Sequence, residues 1–349
     1  MNGMTLPSEM KALLVRHEGY ATAPSGSALE AMEPYVELAT IGVPTPGPTQ
    51  VLVKVALASI NPSDVMFLKG LYGQPRVKGR PPGFEGVGTV VAAGDDPLAQ
   101  KLVGRRIAFA TGLSNWGSWA EYAIGEAAAA IPLMDEVADA DGAAMIVNPL
   151  TALAMFDIVR GEGEKSFILT AGASQLCKLM MGVARDEGFR PIAIVRRDEQ
   201  IPLLEKAGAT HVLNSQAEGF AERLAAVFRE EKPRILLDAV AGPVAGAVFA
   251  AMPKGARWII YGRLDQATTP IPEPGQMIFM HKRIEGFWLP VWMREASHER
   301  RKHAFAEAQK RFADGRWVTD VTAIVPLSEA VSRVPGELAK PNGKVFISP

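Results

Sequence analysis

One cysteine, Cys177, is present in 349 residues. A single thiol cannot close an internal disulfide or supply a multi-thiolate zinc site, which excludes a stapled secreted domain and a structural zinc lobe and points to a reducing compartment. Charge of one sign is also missing: 37 Lys and Arg stand against 38 Asp and Glu, for a formal net charge of −1. A binder of the phosphate backbone needs a basic excess, so nucleic acid is not an expected partner. No run approaches the ~18 consecutive apolar residues of a membrane span. Residues 1–10 have neither the basic start nor the apolar core of a secretory leader. These absences predict a soluble, cytoplasmic protein without a membrane partner.

What remains is a globular composition, 48% apolar and 21% charged, on a chain whose length suggests two domains at ~100–200 residues each. Up to about residue 122, short β-rich runs at 11–16, 50–58, 86–93 and 105–110 are separated by breakers such as Val43-Pro44-Thr45-Pro46-Gly47-Pro48 and Pro81-Pro82-Gly83. From about residue 139 strands alternate with helices. The strands are expected at 166–170, 191–196, 211–214, 234–240 and 257–261, with helices at 176–187, 201–207, 218–229 and 243–251. That rhythm predicts a parallel sheet with helices on both faces. Short continuous apolar runs such as Ile235-Leu236-Leu237 suit strands covered on both sides. A charged helix over 295–313 and two β runs, 322–325 and 344–347, then return the chain to its first domain.

The segment Ile168-Leu169-Thr170-Ala171-Gly172-Ala173-Ser174-Gln175-Leu176-Cys177 reads as a strand, a small-residue turn and a helix start, where a dinucleotide pyrophosphate meets helix N-terminal amides. Only Gly172 is a glycine, and Gln175 and Cys177 stand where a glycine-rich loop keeps the backbone open. The loop alone is therefore equally a plain strand-to-helix connection. Arg196 and Arg197 close the next strand, near the ~20-residue offset at which a cofactor's adenosine ribose is read. An acid there accepts from ribose hydroxyls, whereas guanidinium groups match a 2′-phosphate by bidentate bonds. NADPH is favoured over NADH, the alternative being a solvated strand end.

At this point the chain resembles the zinc-independent medium-chain dehydrogenases/reductases, especially quinone oxidoreductases and 2-enoyl thioester reductases. The resemblance runs in order through Ile60-Asn61-Pro62-Ser63-Asp64, Gly70-Leu71-Tyr72-Gly73, Gly83-Phe84-Glu85-Gly86-Val87-Gly88, Gly117-Ser118-Trp119-Ala120-Glu121-Tyr122 and Asn148-Pro149-Leu150-Thr151-Ala152. It continues with Asp238-Ala239-Val240, Tyr261-Gly262, Gly286-Phe287-Trp288-Leu289 and Gly343-Lys344-Val345. It implies an α/β protein in which a GroES-like β-rich catalytic domain, residues 1–133 and 290–349, wraps around a Rossmann doubly wound parallel sheet, residues 134–289. It also implies a homodimer. The zinc-dependent relatives place a Cys where this chain has Asn61 and a His where it has Phe84, and neither residue replaces a thiolate or an imidazole at zinc. No metal is expected, and the five histidines show no ligand spacing except His298 and His303, five apart on a charged helix, where a solvated face is the favoured reading over a metal site.

Residue by residue, the resemblance places Asn148 and Thr151 near the nicotinamide end of the cofactor. Ala173, Ser174, Gln175 and Leu176 would lie along the pyrophosphate, and Arg196, Arg197 and Asp198 at the adenosine ribose. Tyr261, Gly262, Arg263, Phe287, Trp288, Leu289 and Lys344 would close around the nicotinamide ribose and carboxamide. Phe287 and Trp288 equally read as an acceptor wall or as domain filling, and Cys177 as a small buried helix residue.

Without zinc, a reductase suits acceptors that are already electrophilic: quinones or conjugated C=C–C=O groups in an enone, enal or enoyl thioester. Tyr72 matches the catalytic tyrosine of the enoyl reductases, and a tyrosine phenol is neutral near pH 7 and able to donate; a packed loop aromatic is the plainer reading. Asn61 would hold the tyrosine or the ribose by its amide, and Asp64 would cap the helix begun by Pro62. The expected function is that of an NADPH-dependent, metal-independent oxidoreductase acting on a small-molecule acceptor. A non-catalytic, crystallin-like NADPH-binding protein and an interaction protein that has lost the cofactor are the alternatives.

Overall fold

The computed structural model describes residues 6–22, 28–112, 114–265, 267–271, 273–340 and 343–349. The reading of residues 1–10 as carrying no leader falls partly outside them. In chain order the strands are β1 (Glu9–Val15), β2 (Val36–Gly42), β3 (Gln50–Ser59), β4 (Glu85–Ala93), β5 (Arg106–Ala110), β6 (Tyr122–Glu126), β7 (Ile131–Pro132), β8 (Ser166–Leu169), β9 (Arg190–Val195), β10 (His211–Asn214), β11 (Ile235–Asp238), β12 (Arg257–Ile260), β13 (Arg283–Gly286), β14 (Val321–Pro326) and β15 (Lys344–Ser348). They fall into two compact units, one of residues 1–147 with 307–349 and one of residues 148–306. These boundaries lie C-terminal to the expected 133/134 and 289/290. Arg106 on β5 donates to Asp139, and the amides of Ile146 and Val147 donate to Glu85 on β4, which ties the 134–147 segment to the first unit.

In the first unit a larger sheet runs β14-β15-β3-β4-β5-β7, with β6 also on β3, and β1 and β2 form a separate antiparallel ribbon. β15 joins β14 in parallel and β3 antiparallel, so the C-terminal segment supplies an interior strand. β3 and β4 pair antiparallel, and a Cβ on Gly88 would meet the Lys54 carbonyl oxygen at 2.2 Å. Only glycine permits that approach. Fully buried Leu13, Val51, Val53, Phe109, Trp119 and Ile347 fill the core between these layers.

In the second unit six parallel strands take the order β10-β9-β8-β11-β12-β13. Every residue of β8 and of β11 is buried, as a sheet covered on both faces requires. The order reverses between β8 and β11, and the carboxyl ends of these two strands flank that switch point. β13, which the sequence pattern did not give, is an edge strand with exposed Arg283, Ile284 and Gly286.

The expected helix over 295–313 is two helices, Leu289–Glu295 and His298–Ala313. Ala296 turns extended (ψ 141), and the Ser297 hydroxyl accepts from the Arg300 amide at 3.3 Å, starting a new helix. Arg301 donates back to the carbonyls of Met293 and Ala296, and Arg300 pairs with Asp157, so the basic face is engaged. Among the described residues no helix is long and apolar enough to cross a membrane.

Candidate active site

The first unit gathers its polar side chains around the turn that opens helix Pro62–Leu68. Asn61 is the N-cap in extended conformation (φ −107, ψ 158), and Pro62 takes the first helical position, where its missing N–H costs nothing. The Asp64 carboxylate reaches back to the Asn61 amide at 2.8 Å and also accepts from the Phe84 amide at 3.0 Å. Burial pushes the Asp64 carboxyl up to about 7; the Asn61 amide opposes this, Glu85 adds to it, and Lys344 and the Phe84 amide oppose it.

Asn61 is itself consumed by neighbours. Its Nδ2 donates to Glu85 Oε1 at 2.8 Å and Ser59 Oγ at 3.1 Å, and its Oδ1 accepts from Lys344 Nζ at 2.5 Å. The same Glu85 accepts from the Ser59 hydroxyl at 2.7 Å and, on its other oxygen, from the Ile146 and Val147 amides at 3.0 and 2.8 Å. Asn61, Asp64, Glu85 and Lys344 are all buried. The side-chain amide of Asn61 thus joins a carboxylate to an ammonium. Lys344, expected at the nicotinamide, sits inside this network, where burial lowers its pKa against the pull of Glu85 and Asp64.

Phe84 stands where zinc-dependent relatives place a ligand, and its ring lies 5.4 Å from Phe67, edge-on, and 5.0 Å from Tyr72 at 37°. Tyr72 is half-buried and packs against the main core of this unit. Among the described residues the one group of acids and histidines close enough to share a cation is His211, Glu230 and Glu231, in the other unit. There Glu231 already accepts from Arg190, Ser166 and His211.

The second unit holds the remaining candidates. After β8 the chain turns through Ala171 at φ 48, and Ser174 caps helix Gln175–Asp186, its hydroxyl accepting from the Cys177 amide at 3.3 Å. A Cβ on Gly172 would meet the Ala193 Cβ at 2.9 Å, so glycine is what lets this turn lie against β9. Ala173, Ser174 and Gln175 are half-buried and Leu176 is buried. Arg196, Arg197 and Asp198 are exposed at the end of β9. The two arginine side chains form no hydrogen bond or ion pair among the described residues, whereas Asp198 accepts from Asn214 at 2.8 Å. Asn148 and Thr151 share the first turns of helix Val147–Gly161 at i, i+3 spacing.

Tyr261, Gly262 and Arg263 follow β12. The Tyr261 hydroxyl lies 3.7 Å from the Cys177 sulfur, and burial raises the pKa of both groups. Cys177 is fully buried and its thiol donates to the Thr170 carbonyl at 3.4 Å, as befits a packing residue. Phe287 continues the pairing past β13 through its amide to Ile260, Trp288 caps the next helix with 38% of its surface exposed, and Leu289 begins that helix.

Glu85 and Asp238 were quoted within motifs but given no role, yet each organises its unit. Asp238 is fully buried and accepts from Thr170, from the Val240 and Ala241 amides and from the Trp258 indole. Its place directly after Ile235-Leu236-Leu237 was the available signal: an acid at the end of a buried strand needs partners.

A family profile described as an alcohol dehydrogenase GroES-like domain matches residues 47–135, and one described as a zinc-binding dehydrogenase matches residues 176–307. A solved structure from Mesorhizobium loti, provisionally described as an NADPH:quinone reductase, is 70% identical over 99% of this chain and 100% of its own, with a TM-score of 0.96. The chain is a zinc-independent medium-chain dehydrogenase/reductase of the quinone and enoyl reductase type. A mitochondrial enoyl-[acyl-carrier-protein] reductase of Bos taurus is 26% identical over 93% of the chain and 84% of its own length. A mycobacterial protein solved with NADPH is 23% identical over 97% of this chain and 100% of its own, with a TM-score of 0.80. Members of this family are oxidoreductases, and this one carries the fold with a hydrogen-bonded Asn61 and a ring-packed Phe84 at the two substituted ligand positions.

Proposed function

We propose that this reductase transfers hydride from NADPH to a quinone or to a conjugated C=C–C=O acceptor, an enone, enal or enoyl thioester, without a metal. The observation that carries the reading is the Phe84 ring packed at a tilt against Tyr72: the position of a lost zinc ligand supports a phenol that can donate. The names of the Mesorhizobium loti and Bos taurus relatives support the same two acceptor classes.

The residues present fit NADPH. The loops after β8 and β11 meet at the switch point, Gly172 and Gly262 are held to glycine by backbone and side-chain neighbours within 3 Å of a Cβ, and two unpaired guanidiniums stand at the end of β9. Bound NADPH supplies the hydride. Arg196 and Arg197 hold its 2′-phosphate, amides of the 171–176 segment hold its pyrophosphate, and Asn148, Thr151, Tyr261 and the 287–289 segment hold the nicotinamide end. Tyr72 gives a hydrogen bond or proton to the acceptor as negative charge develops on it. Asn61 and Lys344 support this region through their shared hydrogen bond.

A homodimer through β13 belongs to the same reading. This edge strand is open, and Ile284 on it and Ile278 and Phe279 on helix Pro274–Phe279 are 37%, 62% and 76% exposed. An open strand edge beside exposed apolar side chains suits a covering partner. The single buried thiol suits the cytoplasm.

The experiment is turnover of EDTA-dialysed protein with NADPH on a panel of quinones, enals and enoyl thioesters. Metal-free turnover on at least one class is expected. Binding of NADPH without turnover on any acceptor would favour the non-catalytic relative, and no change in nicotinamide fluorescence would favour the interaction protein. Activity lost in EDTA and restored by zinc would overturn the metal-free chemistry.

A further inference from the structure

We propose that Asp64 is a positioning residue for Tyr72, acting through the backbone amide and ring of Phe84. The inference rests on the reading of Tyr72 as the donor and adds what holds it in place.

One fully buried carboxylate fixes two separate segments, with Oδ2 on the Asn61 amide and Oδ1 on the Phe84 amide. Phe84 has little freedom to find another position. The preceding Gly83 has φ 103, and a Cβ there would meet the Ser118 hydroxyl and the Trp119 ring at 2.5 Å. With its amide held, the ring of Phe84 is wedged between Phe67 and Tyr72. The loop that carries Tyr72 is also anchored at its ends. Gly70 turns at φ 71, and Arg76 donates to the carbonyls of Leu68 and Gly19. Those contacts set where the loop begins and ends, and Phe84 meets the Tyr72 ring itself.

Three ionisable groups are buried together, Asp64 from the helix, Glu85 from β4 and Lys344 from β15, and they supply one cation for two acids. Glu85 is answered by four donors, and Lys344 reaches it through Asn61. Asp64 is the surplus acid, which is why burial brings its carboxyl up to about 7. An ionised carboxylate accepts roughly twice as strongly as a neutral one. Protonation of Asp64 therefore loosens its hold on the Phe84 amide, and turnover should fall as the pH drops through that region.

The test is kcat against pH, with the KM for NADPH, for the wild type, Asp64→Asn, Phe84→Leu, Tyr72→Phe and the two double variants with Tyr72→Phe. Asparagine has one acceptor oxygen where the carboxylate has two, so Asp64→Asn should lower kcat by about tenfold, leave the KM for NADPH unchanged and abolish the acid limb near pH 7. Phe84→Leu keeps the amide on Asp64 but removes the ring through which Asp64 acts, so it should lower kcat and flatten the acid limb as well. In the Tyr72→Phe background each change should cost less than about twofold, because there is no longer a hydroxyl to aim. Independent, multiplying effects would overturn the inference while leaving the Tyr72 reading intact, and so would an acid limb that survives Asp64→Asn. An unchanged kcat for Tyr72→Phe alone would overturn both. Should Asp64→Asn fail to fold, the pH profiles decide the matter: a wild type without an acid limb near pH 7, or a limb that survives unchanged in Phe84→Leu, would overturn the role of Asp64.

Discussion

Thr170 and Asp238 join the ends of β8 and β11 across the switch point. The Thr170 hydroxyl donates to the Asp238 carboxylate at 2.5 Å and accepts from the Ala239 amide at 2.9 Å. The same carboxylate holds the amide of Ala241, whose backbone (φ 60, ψ −158) is a conformation costing about 1–3 kcal/mol unless its surroundings enforce it. The two loops that would cradle a dinucleotide are therefore set by one buried pair.

Replacing Thr170 by Val keeps the shape and removes both bonds. The orphaned Ala239 amide, together with the donor lost from Asp238, whose Oδ1 keeps the Val240 amide, should cost about 1–3 kcal/mol of stability. NADPH binding should weaken as well, because the loops lose their common anchor. Thermal unfolding and a nicotinamide fluorescence titration check both effects, and an unchanged dissociation constant would show that the loops are set elsewhere.

Arg196 and Arg197 are exposed without a partner among the described residues. Changing both to Ala should raise the dissociation constant for NADPH at least tenfold, since each charge-assisted bond contributes about 1.5–3 kcal/mol, and should leave NADH unaffected. Titrations of the two cofactors at moderate salt measure the difference. Equal loss for both would mean that the arginines shape the loop rather than read the phosphate.

Tyr72→Phe should lower kcat on enone or enoyl substrates by at least about tenfold, within the range known for general acids and oxyanion donors. Quinones should suffer less, because their reduced anion is better stabilised. The dissociation constant for NADPH should not move. Steady-state kinetics on both acceptor classes would show whether the ring is only packing, in which case no acceptor would be affected.

Glu231 tests stability away from the site. It accepts from Arg190, His211 and Ser166, and the bond from Arg190 above all holds its carboxyl at about 2, below the ordinary 4.5. A folded-state pKa below the unfolded one gives stability that is present above about 4.5 and is lost as the pH falls toward 2. Glu231→Gln should therefore destabilise the protein by about 1–3 kcal/mol at pH 7, with the gap from wild type closing in acid. Urea midpoints at pH 7 and pH 3.5 decide it, and a gap independent of pH would assign the loss to packing.

Legibility followed local chemistry. Strand β10 and helix Ile201–Ala207 fall where the sequence put them, because apolar runs and breakers mark both. β13 was missed because three of its four residues, Arg283, Glu285 and Gly286, are charged or glycine, which is what an open edge tolerates. Helix Val147–Gly161 was missed because it is buried nearly all round and shows no polar stripe. At the site, the residue types at 61 and 84 already argued against zinc. Where their side chains go was not legible, since the partners of Asn61 include Lys344, 283 residues away. No periodicity reports such a bond.

The placement of β15 has a consequence for how the chain matures during synthesis. β6 pairs with residues 50–54 of β3, but Ala58 and Ser59 farther along it wait for Ile347 and Phe346, and the Asn61 side-chain oxygen waits for Lys344. At ~5–20 residues per second, the 283 residues from Asn61 to Lys344 take roughly 15–60 s to appear. Residues 148–306 are contiguous and can close their βαβ contacts during that delay. The dinucleotide-binding half is thus expected to be finished on the ribosome while the half carrying Tyr72 is still missing an interior strand.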